Sequence, residues 1–548
     1  MTEAGFMVMM GLDKFYGRKD ILELLKKRVL DFKDGYRQNI ALLGERYIGK
    51  TSVLHKFLES IELRSVIPVY VDLENRELGQ FCERISSSLL YQFLRSRGQS
   101  CHEDLKLLLE SAQDTLPLTV KSIRRIQAHL AHGRQADAYR EVIALPQIFS
   151  SETGLFCVLI LDEFQALDDW DIPDVFRDLG KTIMTQKQCL YIVSSSLPST
   201  AETILSEKLS LLFGNFEVRW VEPFSIRTCQ EFIVAHLQGV QISDSLRDFL
   251  IDFTGRRPLY LKLLCHELRT YCSLHGQSEV FVPVLTEAVK SVLFNPWGVL
   301  SRHFDLFMDA LCFKGNVLNA RILLVLSNGK QKLKDITHLM NVKQSLISPR
   351  ISRLIEGGHV VKNGKFFYID DRLFRYWLKF VFQKRQQAIE YGLERQMQDF
   401  EKEFVAIVEH FQITNQKDVQ ARIIELFNCF DDEAVQMNGR RYKLPVFQRL
   451  SSIKRLDGAA DPFAFIEART SSGNWCVVLT RRSVQEQEIA NIAAHLKKRN
   501  QKLERCVLIA LEDLDENVRV RALQERMWIW NENELNTLLN IYDQSYIV

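Results

Sequence analysis

The chain has 548 residues, 46% of them hydrophobic and 26% charged, with a formal net charge of +2. That length allows about three to four domains, and the composition is that of an ordinary soluble globular protein. The near-neutral balance gives no global case for nucleic acid, and no run approaches the ~18 apolar residues that a membrane helix needs.

Phe6–Leu12 is apolar but too short, and lacks the basic lead, for a signal peptide. Phe15-Tyr16-Gly17-Arg18 opens the first folded stretch, and Ile21, Leu22, Leu24 and Leu25 give it an amphipathic helix. The buried strand Asn39–Leu43 then runs into Gly44-Glu45-Arg46-Tyr47-Ile48-Gly49-Lys50-Thr51, which reads G-x-x-x-x-G-K-T. A helix follows, with Val53, Leu54, Phe57 and Leu58 on one face. A glycine-rich turn between strand and helix lets successive N–H groups face an anion, and the helix N-terminus adds partial positive charge. Lys50 is expected to reach the β- and γ-phosphates of a nucleoside triphosphate and Thr51 to hold Mg²⁺, with Ser52 next to them.

Val66–Asp72 reads as a second strand and Leu78 to about Arg97 as a long helix. Residues 100–147 look all-helical and locally basic, with Lys121, Arg124, Arg125, Arg134 and Arg140 forming either a solvated face or a binding patch. The apolar run Leu155–Leu161 ends in Asp162-Glu163, as a central parallel strand covered on both faces would. These acids then lie at the carboxyl end, where open α/β sheets bind ligands. Asp162 is the candidate for Mg²⁺ and Glu163 for the general base. Cys189–Val193 is a further strand, and it ends in Ser194-Ser195-Ser196. Ser195 is the candidate there for the γ-phosphate or the attacking water, the alternative being a serine that merely starts a loop. Phe216–Val221 makes a fifth strand, closed by Pro223-Phe224. Alternating strands and helices predict a parallel sheet. Residues 225–295 read as helices only, broken at Gly255-Arg256-Arg257-Pro258 by a helix stop and a helix start. The eleven cysteines form no C-x-x-C pair, and Cys157, Cys189, Cys265 and Cys312 lie in apolar runs. Buried thiols in a reducing cytoplasm are expected, rather than disulfides or zinc.

With these motifs in place, residues 10–385 resemble the archaeal-type ATPases of the STAND group of AAA+-related P-loop NTPases, which are similar to origin-recognition ATPases. The residues that carry the resemblance are Phe15–Arg18, Gly44–Thr51, Leu161–Phe164, Ser194–Ser196, Glu222–Phe224 and Gly255 with Pro258. It implies a five-stranded core, a helical lid and ATP rather than GTP, with Tyr16, Gly17 and Pro258 near the base or sugar. The family often has Gly-Arg where this chain has Gly214-Asn215, which leaves an arginine finger unplaced. Arg256 or Arg257 is the candidate for a lid sensor.

Further on, Ala320–Leu326, Lys332–Met340 and Gln344–Glu356 read as three helices, and His359–Ile369 as a hairpin with an Asn363-Gly364 turn. Helix, turn, helix and hairpin make a winged helix-turn-helix. Gln344, Ser345, Ser348, Arg350, Ser352 and Arg353 are placed to face DNA, and Lys343, Lys362 and Lys365 to meet phosphates. The alternative is a winged helix that packs on protein. After about residue 440 the order of strands and helices resembles restriction-endonuclease-like domains of the PD-(D/E)xK type. Asp457 or Asp461 precedes Glu467-Ala468-Arg469 there. Arginine in place of the lysine stays protonated and is larger, so a degenerate domain without cleavage is expected.

The predicted organisation is α/β: an ATPase core at 1–222, a helical lid at 223–298, the winged helix at 299–385, a helical linker at 386–439 and the C-terminal domain at 440–548. The function expected is an ATP- and Mg²⁺-dependent switch acting on DNA or a DNA-bound complex, in the cytoplasm, with protein partners and without a membrane. A nucleotide-gated protein scaffold and an ATP-controlled nuclease are the alternatives.

Overall fold

The computed structural model describes residues 15–547, except 62–64, 75, 100–101, 210–215, 313–316, 388–392, 438, 454–462, 499–502 and 513. Two compact units emerge, one comprising residues up to Thr228 with Arg257–Tyr260, the other Cys229–Arg256 with the chain from Leu261 onward.

The first unit opens with α1 (Lys19–Lys33), β1 (Asn39–Leu43), α2 (Lys50–Glu59), β2 (Val66–Asp72) and α3 (Leu78–Ser96). Three helices follow in the basic stretch: α4 (Leu105–Ala112), α5 (Pro117–Ala131) and α6 (Gln135–Thr153). The unit continues with β3 (Phe156–Asp162), α7 (Val175–Thr185), β4 (Cys189–Ser195), α8 (Pro198–Thr203) and β5 (Phe216–Trp220). All five strands form one parallel sheet in the order β2-β3-β4-β1-β5. Period-2 alternation divides it between two cores. Ala41, Leu43, Leu159, Leu161, Tyr191 and Val193 face the core shared with α3–α7. Ile40, Leu42, Val158, Ile160, Leu190 and Ile192 face α1 and α2. Burial on both faces is why these strands read as unbroken apolar runs.

α9 (Ile226–Leu237) leads into the second unit, followed by β6 (Gln241–Ile242), α10 (Asp244–Phe253), α11 (Pro258–Leu274), β7 (Glu279–Val280), α12 (Val282–Val289) and α13 (Val299–Cys312). The stretch read as purely helical thus contains a two-residue parallel pairing of β6 with β7, too short to leave a period in the sequence. Then come α14 (Val317–Ser327), β8 (Gln331–Lys332), α15 (Leu333–Met340), α16 (Gln344–Glu356), β9 (Val361–Asn363), β10 (Phe366–Tyr368) and α17 (Arg372–Trp377). β8, β10 and β9 make a three-stranded antiparallel sheet. Asn363 pairs with Phe366, so the turn is Gly364-Lys365 rather than Asn363-Gly364. Gly364 has φ +60°, which a first turn position of this kind demands.

α18 (Gln383–Gln387), α19 (Leu393–Asn415) and α20 (Val419–Asn428) precede the hairpin β11 (Glu433–Met437) and β12 (Arg440–Leu444). The expected boundary at 439/440 therefore falls in the turn of a hairpin. β13 (Arg449–Ile453), β14 (Ala464–Arg469), β15 (Asn474–Thr480), α21 (Glu486–Lys498), β16 (Leu503–Ala510), α22 (Glu516–Gln524), β17 (Trp528–Trp530) and α23 (Glu532–Ile541) complete the chain. Strands β13 to β17 form a mixed sheet in sequence order, antiparallel up to β15 and parallel beyond. β13, with Ser451 and Ser452 at its centre, has neither an apolar run nor period-2 alternation, so the sequence does not mark it as a strand. Gly214, Asn215, Asp457 and Asp461 lie outside the described residues.

Candidate functional site

The first unit gathers its polar residues at the carboxyl ends of β1, β3 and β4. Gly44 leaves β1 where a side chain has no room: a Cβ would stand 2.4 Å from the Val221 carbonyl oxygen. Its N–H donates to the Ser195 carbonyl (3.2 Å), and the Val221 N–H donates to the Leu43 carbonyl (2.7 Å). The loop is thus wedged between the ends of β4 and β5. Tyr47 (φ +66°) and Gly49 (φ +93°) turn it into the left-handed region ahead of α2, and Ile48 is buried beneath it.

Lys50 is only 1% exposed. Its ammonium donates to the carbonyls of Gly44 (3.0 Å) and Glu45 (2.8 Å), and it meets no carboxylate among the described residues. A buried cation satisfied only by neutral carbonyls is an acceptor site for an anion. One residue on, the Thr51 hydroxyl donates to Asp162 Oδ2 (2.8 Å). Ser52 lies half-buried beyond it. The Tyr70 hydroxyl donates to the same oxygen (2.9 Å), and Ser194 Oγ donates to Oδ1. The hydroxyl–carboxylate pair of Thr51 and Asp162 offers the hard oxygen donors that suit Mg²⁺. Among the described residues no cluster of three or more His, Cys, Asp or Glu side chains forms a cage of its own.

Glu163 takes a left-handed φ of +56°. Its Oε2 accepts from the Ser196 N–H (2.9 Å), the Ser196 hydroxyl (2.7 Å) and Gln165 Nε2 (2.7 Å). The serines that touch the acidic pair are therefore 194 and 196. Ser195 Oγ instead accepts from the Leu197 N–H (3.0 Å). Alternation along β4 is the reason, since neighbours point to opposite sides. Tyr70 was missed because a tyrosine in a strand reads as core. The in-register pairing of Asp72 with Asp162 places it beside the acids. Burial, together with repulsion from Asp162 and Glu163, lifts the Asp72 carboxyl above the ordinary carboxylate range. Burial lifts Glu74 as well, against the pull of Arg46. Burial works against the charge on Arg46, yet Tyr47, Glu74 and Glu163 together hold its pKa above the usual value.

The remaining predicted contacts converge from three sequence segments. Arg18 Nη2 donates to the Glu222 carbonyl and to the Ile48 carbonyl (3.3 Å), with its guanidinium 5.1 Å from the Phe224 ring centroid. Gly17, at φ +64°, leaves room for Thr228 and Phe224, and Tyr16 beside it is half-buried. Arg257 donates to the Arg46 carbonyl (2.5 Å) and to Glu45 Oε2, one residue before Pro258 starts α11. Arg256 belongs to the second unit, where it meets Glu532 (3.1 Å) and Asn533 (3.4 Å). Of the two candidate arginines, only Arg257 thus meets the loop in these contacts. Of the basic residues on α5 and α6, Arg125 meets Glu141 (2.5 Å) and Arg140 meets Asp178 (2.9 Å), while Arg124 meets the neutral Gln113 (2.7 Å). No disulfide links the ten described cysteines, and burial pushes Cys82, Cys157 and Cys265 up to about 12. No described helix is long and apolar enough to cross a membrane.

Known structures of similar shape include the Walker-type ATPase PABY2304 of Pyrococcus abyssi, 16% identical over 68% of this chain and 99% of that one, with a TM-score of 0.47. The Aeropyrum pernix ORC2 protein in its ADPNP–ADP complexes is 11% identical over 72% and 96%, with a TM-score of 0.42. The Aeropyrum pernix ORC1 protein in complex with DNA is 15% identical over 72% and 95%, with a TM-score of 0.38. No curated protein matches the chain. Residues 14–185 match the family model described as AAA ATPase domain, a span that holds β1 to β3, the glycine loop and both acids. Residues 14–185 thus match an AAA ATPase domain, and the first unit has an α/β fold with a central parallel sheet.

Proposed function

We propose that this protein is an ATP-binding, ATP-hydrolysing switch whose nucleotide state governs contact with DNA or a DNA-bound complex. The observation that carries the nucleotide part is Lys50, buried with only loop carbonyls for company. A triphosphate supplies the negative charge that this position lacks. Lys50 turns from the Gly44 and Glu45 carbonyls to the phosphates, and the loop N–H groups and the start of α2 face the same anion. Thr51 and Asp162 would hold Mg²⁺, which would supply positive charge to offset that of the phosphates. Glu163, already fixed by Ser196, accepts the proton of the attacking water. Arg257 leaves Glu45 for the phosphates, while Tyr16, Gly17 and Pro258 line the base or sugar.

Behind this core, residues 223–298 serve as the lid and 299–385 as a winged helix, with α14 to α16 as its helices and β8 to β10 as its sheet. Residues 386–439 link these to a C-terminal domain read as a degenerate PD-(D/E)xK fold, in which Arg469 stands where a catalytic lysine would. On this reading α16 enters the major groove. The exposed face supports it: Lys343, Gln344, Ser345, Ser352 and Arg353 are open to solvent.

Calorimetry with MgATP on the full chain tests the core of this reading. Lys50→Ala should weaken binding by about 10- to 100-fold, the worth of a charge-assisted contact of ~1.5–3 kcal/mol. Equal affinity in the variant would remove Lys50 from the site and the switch with it.

A further inference from the structure

Within the second unit the hairpin of β9 and β10 is not free. Its tip meets the hairpin of β11 and β12. The Asn363 amide donates to the Gln436 carbonyl (2.8 Å) and accepts from the Gln436 N–H (2.6 Å). A Cβ on Gly364 would stand 2.1 Å from the Ala434 carbonyl oxygen. Phe366 and Tyr368 share one core with Val435, Met437, Tyr442 and Leu444. Around this contact three lysines face two carboxylates. Lys330 lies 3.4 Å from Asp431, Lys332 lies 3.0 Å from Glu433 and 3.8 Å from Asp431, and Lys365 lies 3.1 Å from Glu433. The Lys330 ammonium also sits 3.8 Å from the Phe366 ring centroid and 3.5 Å from that of Tyr542.

The contrast with α16 is informative. Lys343 and Arg353 are exposed and form no ion pair with a carboxylate among the described residues. Lys330, Lys332 and Lys365 are therefore answered from inside the chain, while the cations of α16, and Lys362 on β9, are left open. Two carboxylates, one just ahead of β11 and one on its first residue, hold the ammonium groups much as two backbone phosphates would.

We propose that Asp431 and Glu433 are built-in phosphate stand-ins that withhold Lys330, Lys332 and Lys365, so that duplex DNA is gripped by the α16 face and Lys362 without them. This rests on the reading of residues 299–385 as a DNA-contacting winged helix. It narrows that reading to the cations left open and makes the acidic hairpin the element that limits affinity.

The test is fluorescence anisotropy of a labelled 30-base-pair duplex with the full-length protein, titrated across salt. Each phosphate neutralised contributes about −0.9 to the slope of log K against log salt. The isosteric double variant Asp431→Asn, Glu433→Gln should steepen the slope by about 2 to 3 and tighten binding at low salt. Unchanged slope and affinity would overturn the proposal. A complementary pair keeps the question decidable if that variant misfolds. Lys332→Ala and Lys365→Ala in the otherwise native chain should leave affinity and slope unchanged, because these lysines are already engaged. Weakened binding in either would equally overturn it. If Lys343→Ala with Arg353→Ala abolishes binding while the amide variant binds like wild type, only the stand-in proposal falls. If wild type and every variant bind without salt dependence or not at all, the DNA reading falls and takes this one with it.

Discussion

At the scale of the residue, the acidic pair divides its work by geometry. Asp162 accepts from three hydroxyls, those of Thr51, Tyr70 and Ser194, which fix the carboxylate beside the start of α2, where the proposed metal role needs it. Glu163 is clamped by Ser196 and Gln165, which orients it without adding a positive charge. Glu163→Gln should therefore bind MgATP with affinity near wild type and lose turnover by about 10²- to 10⁴-fold, the usual worth of a general base. A phosphate-release assay checks this, and wild-type turnover in the variant would exclude Glu163 as the base.

At the scale of the element, the loop depends on close backbone approach more than on any side chain. Gly44 lies under the Val221 carbonyl at a distance no Cβ tolerates, and the neighbouring hydrogen bonds to Ser195 and Leu43 prevent β4 or β5 from yielding. Gly44→Ala should destabilise the protein by about 1–3 kcal/mol, as overpacking does, read as a lower midpoint in thermal or urea unfolding. An unchanged midpoint would show that the strand ends shift freely. The hairpin contact makes a second prediction, about pH. Hydrogen bonds from Lys332 and Lys365 hold the Glu433 carboxyl below its ordinary range. A carboxyl depressed in the folded state contributes stability above its unfolded pKa, about 4.3, and loses it as pH falls through the lower folded value. Glu433→Gln should flatten the acid limb of the stability curve below about pH 4.3. A limb identical to wild type would contradict the ion pairs.

At the scale of the whole molecule, ligand binding and folding are linked. Anything that binds only the native state stabilises it by RT ln(1 + [L]/Kd), about 2.7 kcal/mol at a hundredfold excess over Kd. MgATP should raise the first unfolding transition of wild type and not that of Lys50→Ala. A second transition insensitive to MgATP would mark the second unit as an independent folding body, and a single shifted transition would mark the two as one.

How much of this was legible depended on period and spacing. The apolar runs of β1, β3 and β4 announce strands buried on both faces, and G-x-x-x-x-G-K-T with Asp162-Glu163 announces an anion site, because those patterns are local. The pairs β6–β7 and β8–β10 are too short to carry a period. β13 is polar, and its pairing with β14 is a property of the sheet. Ser194 and Ser196 could be told from Ser195 only once the pleat of β4 was set.

The sequence by itself determined the longer helices, the buried strands and the glycine-loop motif, since each depends on residues a few positions apart. Only the tertiary structure decided that Tyr70 joins Asp162, that Arg257 meets Glu45, and that the lysines around β9 and β10 face acids about 70 to 100 residues away. Contacts between residues distant along the chain follow from how strands and helices pack, and no short stretch of sequence contains that information.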